Sequence, residues 1–371
     1  MRALRLTYQR LLDRREGCDP PPTPIASPEA WRGLRADVLP VVRSVGEGDT
    51  TKFIQQTHDA LETESVVVPM RRRGRAWKTL CVSSQIGCAR GCLFCETAQL
   101  GLLRNLTAGE IVGQVVAGRR YFRDVRNVVF MGMGEPLDNL EAVLQAVRVL
   151  TDPAGLSFSM ARIALSTVGR ATGIRRLAEL GWRRLNVAIS LNAPNDEIRT
   201  RIMPTAARES MLELRDALRA YPLRRCQFFM IEYVLIPGVN DAREHAFELT
   251  EYLRPVKGVV NVIPYNPRRD SPWPAPTEES VVRFLGWLQE AGQICKRRLT
   301  KGRDLMAACG QLGNRDLTGT RRSHPTQPTT TQPPSALSVP SVPPWSPSSP
   351  AARFGGGAAP RWHGEHGEPA M

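Results

Sequence analysis

The chain has few histidines, and it has no long apolar run. Five histidines occur among 371 residues, and none has a cysteine or histidine neighbour at the spacing of a metal site. No apolar run approaches the roughly 20 residues that a membrane-spanning helix needs. Eight cysteines are too sparse for a small fold held together by disulfides. These absences argue against a histidine-rich zinc module, a disulfide scaffold and a membrane protein.

The amino terminus has no pattern of an export signal. Its first sixteen residues, MRALRLTYQRLLDRRE, are basic and mildly amphipathic but lack a long apolar core and a small-residue cleavage site. This pattern favours a leading helix. Free thiols without a secretion signal are typical of a reducing compartment. We therefore expect a cytoplasmic protein.

The charge is strongly basic. Fifty Lys and Arg residues oppose 36 Asp and Glu residues, which gives a net charge of +14 and a pI near 10. Much of the excess lies in clusters, such as 71–75 and 296–303. A balance of this kind favours binding to a polyphosphate such as RNA through the release of counterions. An arginine-rich genome can also produce basic surfaces, so charge alone does not identify a partner.

A repeating pattern of strands and helices begins near Val66. Near-continuous apolar runs alternate with stretches of helical periodicity, which indicates a parallel sheet covered by helices. Six such units predict an α/β fold, an open partial (β/α)6 barrel related to the eightfold one, with a doubly wound sheet as the alternative. The predicted strands are 79–84, 127–134, 162–167, 185–191, 229–236 and 259–265, and the helices 107–120, 139–150, 171–180, 208–220, 241–254 and 277–291.

The pattern divides the chain into three parts. Residues 1–63 are polar and partly helical and form a short accessory segment, and residues 64–313 form the barrel. From His324 to Met371 there are eleven prolines, with Ser, Thr, Gly and Ala as most of the remainder. Such a composition cannot bury enough apolar surface to fold. We expect residues 314–371 to be a disordered tail.

Three cysteines follow the first predicted strand with the spacing C-x3-C-x2-C. They are Cys88, Cys92 and Cys95, in the run GCARGCLFC. Iron–sulfur clusters are mostly held by four thiolates, so three close thiols suggest a cluster with one iron left open. An open coordination site allows a metal centre to bind a substrate or cofactor. Such an iron can chelate the amino and carboxylate groups of S-adenosylmethionine, reduce its sulfonium and yield a carbon radical. A structural zinc site and plain buried thiols remain alternatives.

Polar residues stand at the ends of several predicted strands. The loop after the second strand reads GMGEP, where glycine lets backbone approach a ligand closely. Because the carboxyl ends of parallel strands meet at one rim, these residues are expected to bind S-adenosylmethionine together. Each alone is as compatible with a turn or a helix cap. The candidates are Gly134, Glu135, Ser166, Ser190, Leu191, Asn192 and Asn266.

Taken in order, several motifs resemble a known family. They are CVSSQIGCARGCLFC, GLLRNLT, NVVFMGMGEPLDN, ALSTVG, SLNAPNDEIR, EYVLIPGVND, VNVIPYNP and AACGQL, within residues 64–313. Their order and spacing resemble those of the radical S-adenosylmethionine RNA methyltransferases of the RlmN/Cfr type. The resemblance implies methylation of an adenine ring carbon, carbon 2 more than carbon 8, in ribosomal RNA and in some cases transfer RNA. It also implies one 4Fe–4S cluster, two molecules of S-adenosylmethionine per turnover, an electron donor such as flavodoxin, and a monomer.

The resemblance also assigns roles to residues that the pattern alone leaves open. By resemblance, Cys309 of AACGQL carries the methyl group as an S-methylcysteine, and Cys81 is the thiol that resolves the adduct through a transient disulfide. Glu64 of ETESVVVP resembles the family's base, with Glu62 as the fallback. Without the resemblance, Cys309 reads as an inert buried thiol.

Three features depart from the family. Asn192 replaces a histidine that many relatives carry, the amino-terminal part is short, and the proline-rich tail is not a family feature. Two other hypotheses therefore stand beside the RNA methyltransferase. One is a radical methyltransferase acting on a peptide or small molecule, and the other is a non-enzymatic, zinc-dependent RNA-binding protein.

Overall fold

The computed structural model describes residues 38–72, 74–122, 124–205, 208–268, 270–298 and 310–313. Within them, ten strands form one sheet, in the order β1-β2-β3-β4-β7-β8-β9-β10-β11-β12, and β5 and β6 form a separate pair. The strands are β1 Val41–Glu47, β2 Thr50–Gln56, β3 Glu62–Arg72, β4 Arg75–Cys81, β5 Gln85–Gly87, β6 Leu102–Asn105, β7 Val125–Phe130, β8 Ile163–Thr167, β9 Asn186–Ser190, β10 Phe229–Leu235, β11 Gly258–Pro264 and β12 Cys295–Arg297.

Helices connect the strands of the sheet. In the described residues they are α1 Glu96–Gln99, α2 Ala108–Tyr121, α3 Leu140–Thr151, α4 Ala171–Glu179, α5 Asp196–Ile202, α6 Met211–Ala220, α7 Arg243–Leu253 and α8 Glu278–Glu290. Two begin with a reciprocal capping box, Thr107 with Glu110 and Ser210 with Glu213. None of the helices in this part of the chain is long and apolar enough to span a bilayer.

The parallel part of the sheet has the predicted barrel topology. Strand β4 pairs in parallel with β7, and each strand from β7 to β10 pairs in parallel with the one that follows it in the chain. A doubly wound sheet would reverse its strand order at a switch point, and this one does not. The prediction of an α/β fold with an open, partial barrel is therefore confirmed, and its six strands and six helices lie at the predicted positions.

The amino-terminal side of the sheet differs from the prediction. Strands β1 to β4 pair antiparallel, so that residues 41–56 form a hairpin that was not predicted within the polar, partly helical segment 1–63. Strand β2 is buried along most of its length despite its threonines and glutamines, because β1 and β3 flank it. The division at residues 63 and 64 stays a prediction, and strand β3 runs across it. The predicted tail lies outside the described residues.

Candidate active site at the carboxyl ends of the strands

One cavity opens at the carboxyl ends of the parallel strands. It brings together nine residues that the sequence singled out, which are Cys88, Cys92, Cys95, Gly134, Glu135, Ser166, Ser190, Asn192 and Asn266. Leu191 is the exception among the predicted contacts of the nucleotide, because its side chain is fully buried in the core and does not line the cavity. The predicted catalytic residues Glu64 and Cys81 also do not line it. The cavity is the candidate active site.

The three cysteines lie on the loop between β5 and α1. The backbone N–H of Arg90 donates to Sγ of Cys88 at 3.5 Å, and Arg90 itself pairs with Asp138 at 2.6 Å. Gly91 takes a φ of +64°, which lets the loop turn between Cys88 and Cys92. The loop is therefore fixed to the segment that follows GMGEP.

The environment of the thiols disfavours their uncompensated charged form. Burial raises the pKa of Cys88 to about 12 and also raises the pKa of Cys95, while burial together with repulsion from the other two thiols raises the pKa of Cys92. Thiolates in this position need a cationic partner such as iron. Three thiols in one cavity match the number of ligands of an iron–sulfur cluster that keeps one iron open.

A buried arginine that the sequence did not single out lies close to Cys92. Arg199 of α5 is 1% exposed, and its guanidinium donates to the carbonyl oxygens of Leu191, at 2.9 Å, and of Val168. It ties together the loops that follow β8 and β9. Its positive charge opposes the rise in the pKa of Cys92. Its position within an amphipathic helix gave no signal that it is buried.

The GMGEP loop packs tightly against β5. Gly134 has a φ of +95°, and a Cβ there would lie 2.5 Å from Cβ of Gln85, so only glycine fits. Glu135 accepts hydrogen bonds from the backbone N–H groups of Leu137, at 3.0 Å, and Val168, at 2.8 Å. Burial raises the pKa of Glu135 to about 7. The side chain of Thr167 also bonds to this carboxyl group, so Glu135 organises the cavity wall.

The polar residues after β8 and β9 lie side by side. The hydroxyls of Ser166 and Ser190 are 3.3 Å apart. Asn192 has a φ of +59°, a region that asparagine tolerates, and its Oδ1 accepts from the backbone N–H of Val234 at 2.9 Å. The amide of Asn192 therefore joins β9 to β10, a structural role that the sequence did not suggest.

The far wall of the cavity contains an ion pair that the sequence analysis missed. Glu232, in the middle of β10, accepts from Arg298 at 3.1 Å and from Nδ2 of Asn261 at 2.9 Å. Glu232 and Arg298 both line the cavity. A glutamate within the apolar run FMIEYVLI was the available signal, because a charge inside a buried strand requires partners.

Glu64 and Cys81 lie on the antiparallel side of the site. Glu64, on β3, is 3% exposed, and Nζ of Lys52 lies 3.3 Å from its Oε2. Burial raises the pKa of Glu64, while Lys52 and a backbone N–H from Gly313 oppose the rise. Cys81 is half-buried at the end of β4, and its strand partner is Val66.

Residues 310–313 connect the two sides. The carbonyl of Gly310 accepts from the N–H of Glu96 at 2.6 Å, next to Cys95, and Gly310 lines the cavity. The carbonyl of Leu312 accepts from Thr97, while the N–H of Gly313 donates to Glu64. Cys309 lies outside the described residues, but the residues that follow it join the cysteine loop to Glu64.

Comparisons with known proteins agree with this architecture. Residues 82–250 match the family model of the radical SAM superfamily. A dual-specificity RNA methyltransferase RlmN from Lawsonia intracellularis is 44% identical over 271 residues, which cover 71% of this chain and 75% of the relative. The relative of the same name from Syntrophotalea carbinolica is 41% identical over 310 residues, covering 83% and 82%. A radical SAM methyltransferase from Sphaerobacter thermophilus superposes with a TM-score of 0.72 at 40% identity, covering 77% of this chain and 86% of that structure.

Proposed function

Because this chain belongs to the RlmN-type family of radical S-adenosylmethionine RNA methyltransferases, we propose that it methylates a ring carbon of adenine, carbon 2 rather than carbon 8. The proposed substrates are ribosomal RNA and transfer RNA. The RlmN name of the relatives supports the choice of family reaction, and the net charge of +14 suits an RNA partner. We further propose a cytoplasmic monomer that receives electrons from a donor such as flavodoxin.

The cofactors follow from the cavity. Cys88, Cys92 and Cys95 would hold one 4Fe–4S cluster, and Gly134, Glu135, Ser166, Ser190, Leu191, Asn192 and Asn266 are the proposed contacts of S-adenosylmethionine. All of these residues except Leu191 line the cavity, which supports the proposal for them. With both groups bound, the cluster supplies the electron that converts S-adenosylmethionine into a carbon radical. Buried walls exclude water from that radical.

The proposed reaction needs a residue that carries the methyl group. The ring carbon of adenine is electrophilic and so is a sulfonium methyl, so direct displacement does not join them. Cys309 would take the methyl from one S-adenosylmethionine, and a second would supply the radical that removes a hydrogen atom from the S-methyl group. The resulting carbon radical adds to the ring. Glu64 then takes the ring proton. The Cys81 thiolate attacks the sulfur of Cys309, so that an S–S bond forms and the bond from that sulfur to the transferred carbon breaks. The released carbon takes up a proton to become the methyl group, and the one surplus electron returns along the route from the electron donor.

One observation carries this proposal. The segment 310–313, directly after Cys309, bonds to the helix of the cysteine loop at one end and to Glu64 at the other. The segment that directly follows the proposed methyl carrier in the chain therefore connects the cysteine loop to the proposed base.

The test compares Cys309→Ala with Cys226→Ala, which removes an exposed thiol. We expect Cys309→Ala to assemble its brown cluster but to leave RNA unmethylated, while Cys226→Ala methylates RNA as the unchanged protein does. Transfer of label from methyl-labelled S-adenosylmethionine to deproteinised RNA measures both. Normal labelling by Cys309→Ala would contradict the methyl-carrier scheme, and an unchanged protein that labels no RNA would favour a peptide or small-molecule substrate.

A further inference from the structure

Lys52 is a buried lysine in the antiparallel part of the sheet. It lies on β2 with 9% of its surface exposed, and its Nζ is 3.3 Å from Oε2 of Glu64, which is 3% exposed. Bringing two charges out of water costs several kcal/mol per ion, on the order of what their attraction returns. A well-packed apolar pair would serve the sheet as well. The pair is therefore better explained by chemistry than by stability.

The strand register separates two ion pairs of this sheet, Lys52 with Glu64 and Arg43 with Glu62. Lys52 stands opposite Val66, so it shares a face with Glu64 as a diagonal neighbour. Glu62 is also on this face, but it pairs with Arg43 at 2.8 Å, nearer the solvent. Glu62, the alternative base, is therefore paired with Arg43 nearer the solvent. Glu64 is instead paired with Lys52 in the buried part of the sheet.

Protein donors use only part of the hydrogen-bonding capacity of the Glu64 carboxylate. Among the described residues, no donor makes a well-aligned hydrogen bond to its Oε2, and Lys52 meets it as an ion pair. The N–H of Gly313 also donates to the carboxyl group. Just after β4, the hydroxyl of Ser83 donates to the backbone carbonyl of Glu64 at 2.7 Å, which fixes the backbone of Glu64 and leaves its carboxylate unaffected. One carboxylate oxygen therefore keeps lone pairs for a proton.

The charged groups around Glu64 act in opposite directions. Burial raises its pKa most, Lys52 on β2 is the largest influence that lowers it, and Glu62 on the same strand raises it slightly. Without Lys52, burial and Glu62 would both favour the protonated carboxyl group. A protonated carboxyl cannot accept the ring proton.

We propose that Lys52 is the positioning residue of the proton-transfer step, holding the buried Glu64 ionised and fixing its Oε2. This inference rests on the proposed role of Glu64 as the base. In that step the proton passes from the ring carbon to the carboxylate, and the electron pair of the C–H bond stays on the ring. Lys52 stays protonated throughout and acts only through Glu64.

The experiment compares Lys52→Met and Lys52→Arg, with Lys78→Met as the matched control. Lys78 also forms an ion pair at 3.3 Å, with Asp124, but it stands opposite Pro69 on β3, away from Glu64. The rate of RNA methylation is measured against pH, together with the mass of the Cys309 peptide as a readout of the earlier methyl transfer. An opposite charge nearby lowers a carboxyl pKa by roughly one unit or more.

We expect the acid limb of the profile to move up by about one pH unit or more in Lys52→Met, which makes the rate about tenfold lower on that limb and restores it at higher pH. Lys52→Arg and Lys78→Met should keep the unchanged profile, and methylation of Cys309 should be normal in all three. If Lys52→Met does not assemble a cluster, Lys52→Gln takes its place in the same comparison.

Two results separate failure of this inference from failure of the proposed function. An unshifted acid limb in Lys52→Met, with Glu64→Gln inactive, would overturn the role of Lys52 alone. Full activity in Glu64→Gln would overturn the assignment of the base itself. A uniform loss of rate at every pH, shared by Lys52→Arg, would indicate a structural role and would also contradict the proposal.

Discussion

The two sides of the candidate site are built from two kinds of sheet. The parallel strands β7 to β11 present polar residues at their carboxyl ends, and these residues line a cavity beside three cysteines. The antiparallel strands β2 and β3 present an internal ion pair, Lys52 with Glu64, from the middle of the sheet. The first side suits generation of a radical from a bound nucleotide, and the second suits acceptance of a proton.

The comparison shows why one side was easier to predict than the other. A parallel barrel places ligands at one rim whatever the chemistry, so polar residues at strand ends signal a site. An antiparallel strand has no such privileged end. Its functional residue has to be identified from partners that only the folded sheet supplies.

The largest expected effect comes from removing a cluster ligand. Cys92→Ala should abolish cluster assembly and RNA methylation together, because the remaining two thiols leave the cluster underligated. Cys295→Ala removes a half-buried thiol on β12 and serves as the control. Iron and sulfide content after anaerobic purification, with label transfer to RNA, measures both. If the unchanged protein contained zinc instead of iron, this would contradict the proposal that the cysteine side of the site generates a radical.

The next largest effect on the methylation rate is expected at only one of the two glutamates of β3. Glu64→Gln should lower the methylation rate by about 10²–10⁴-fold, the usual contribution of a general base. Glu62→Gln should change it little, because that residue is paired with Arg43 at the edge of the sheet. Single-turnover methylation of RNA gives both rates. A larger loss in Glu62→Gln would move the base to the fallback position.

A smaller effect is expected at the nucleotide side of the cavity. Gly134→Ala would place a Cβ 2.5 Å from Cβ of Gln85 in a backbone with a φ of +95°, so the loop has to shift. We expect affinity for S-adenosylmethionine to fall about tenfold, while cluster content is kept. Gly286→Ala on α8 meets open space and should bind normally. Equilibrium binding of S-adenosylmethionine measures the difference, and equal affinity would argue against close packing at this loop.

Most of the fold could be predicted from the sequence. Apolar runs such as NVAIS and amphipathic stretches such as 278–290 carry strong periodicity, so the barrel units were located correctly. Residues 41–56 were not recognised as strands. The polar composition of β2 hides the fact that most of its residues are buried, and β1 is an exposed edge strand.

From the residue pattern alone, the site was predictable only at the carboxyl ends of the parallel strands. The sequence indicated Ser166 and Ser190, and the resemblance indicated Glu64, but neither indicated Lys52, Arg199 or the pair of Glu232 with Arg298. These partners are far apart in sequence, and each depends on strand register or on the path of a loop. Leu191 was chosen because it stands between two polar residues, and its side chain points into the core instead.

The most direct test of the central claim follows the hydrogens of the transferred methyl group. The protein is incubated with RNA and S-adenosylmethionine carrying a fully deuterated methyl group, and the methylated adenosine is weighed by mass spectrometry. In the proposed scheme the S-methyl group on Cys309 would lose one deuterium to the radical and gain one hydrogen on release, so we predict a product with two deuteriums. A product that retains all three would mean direct transfer and would contradict the account.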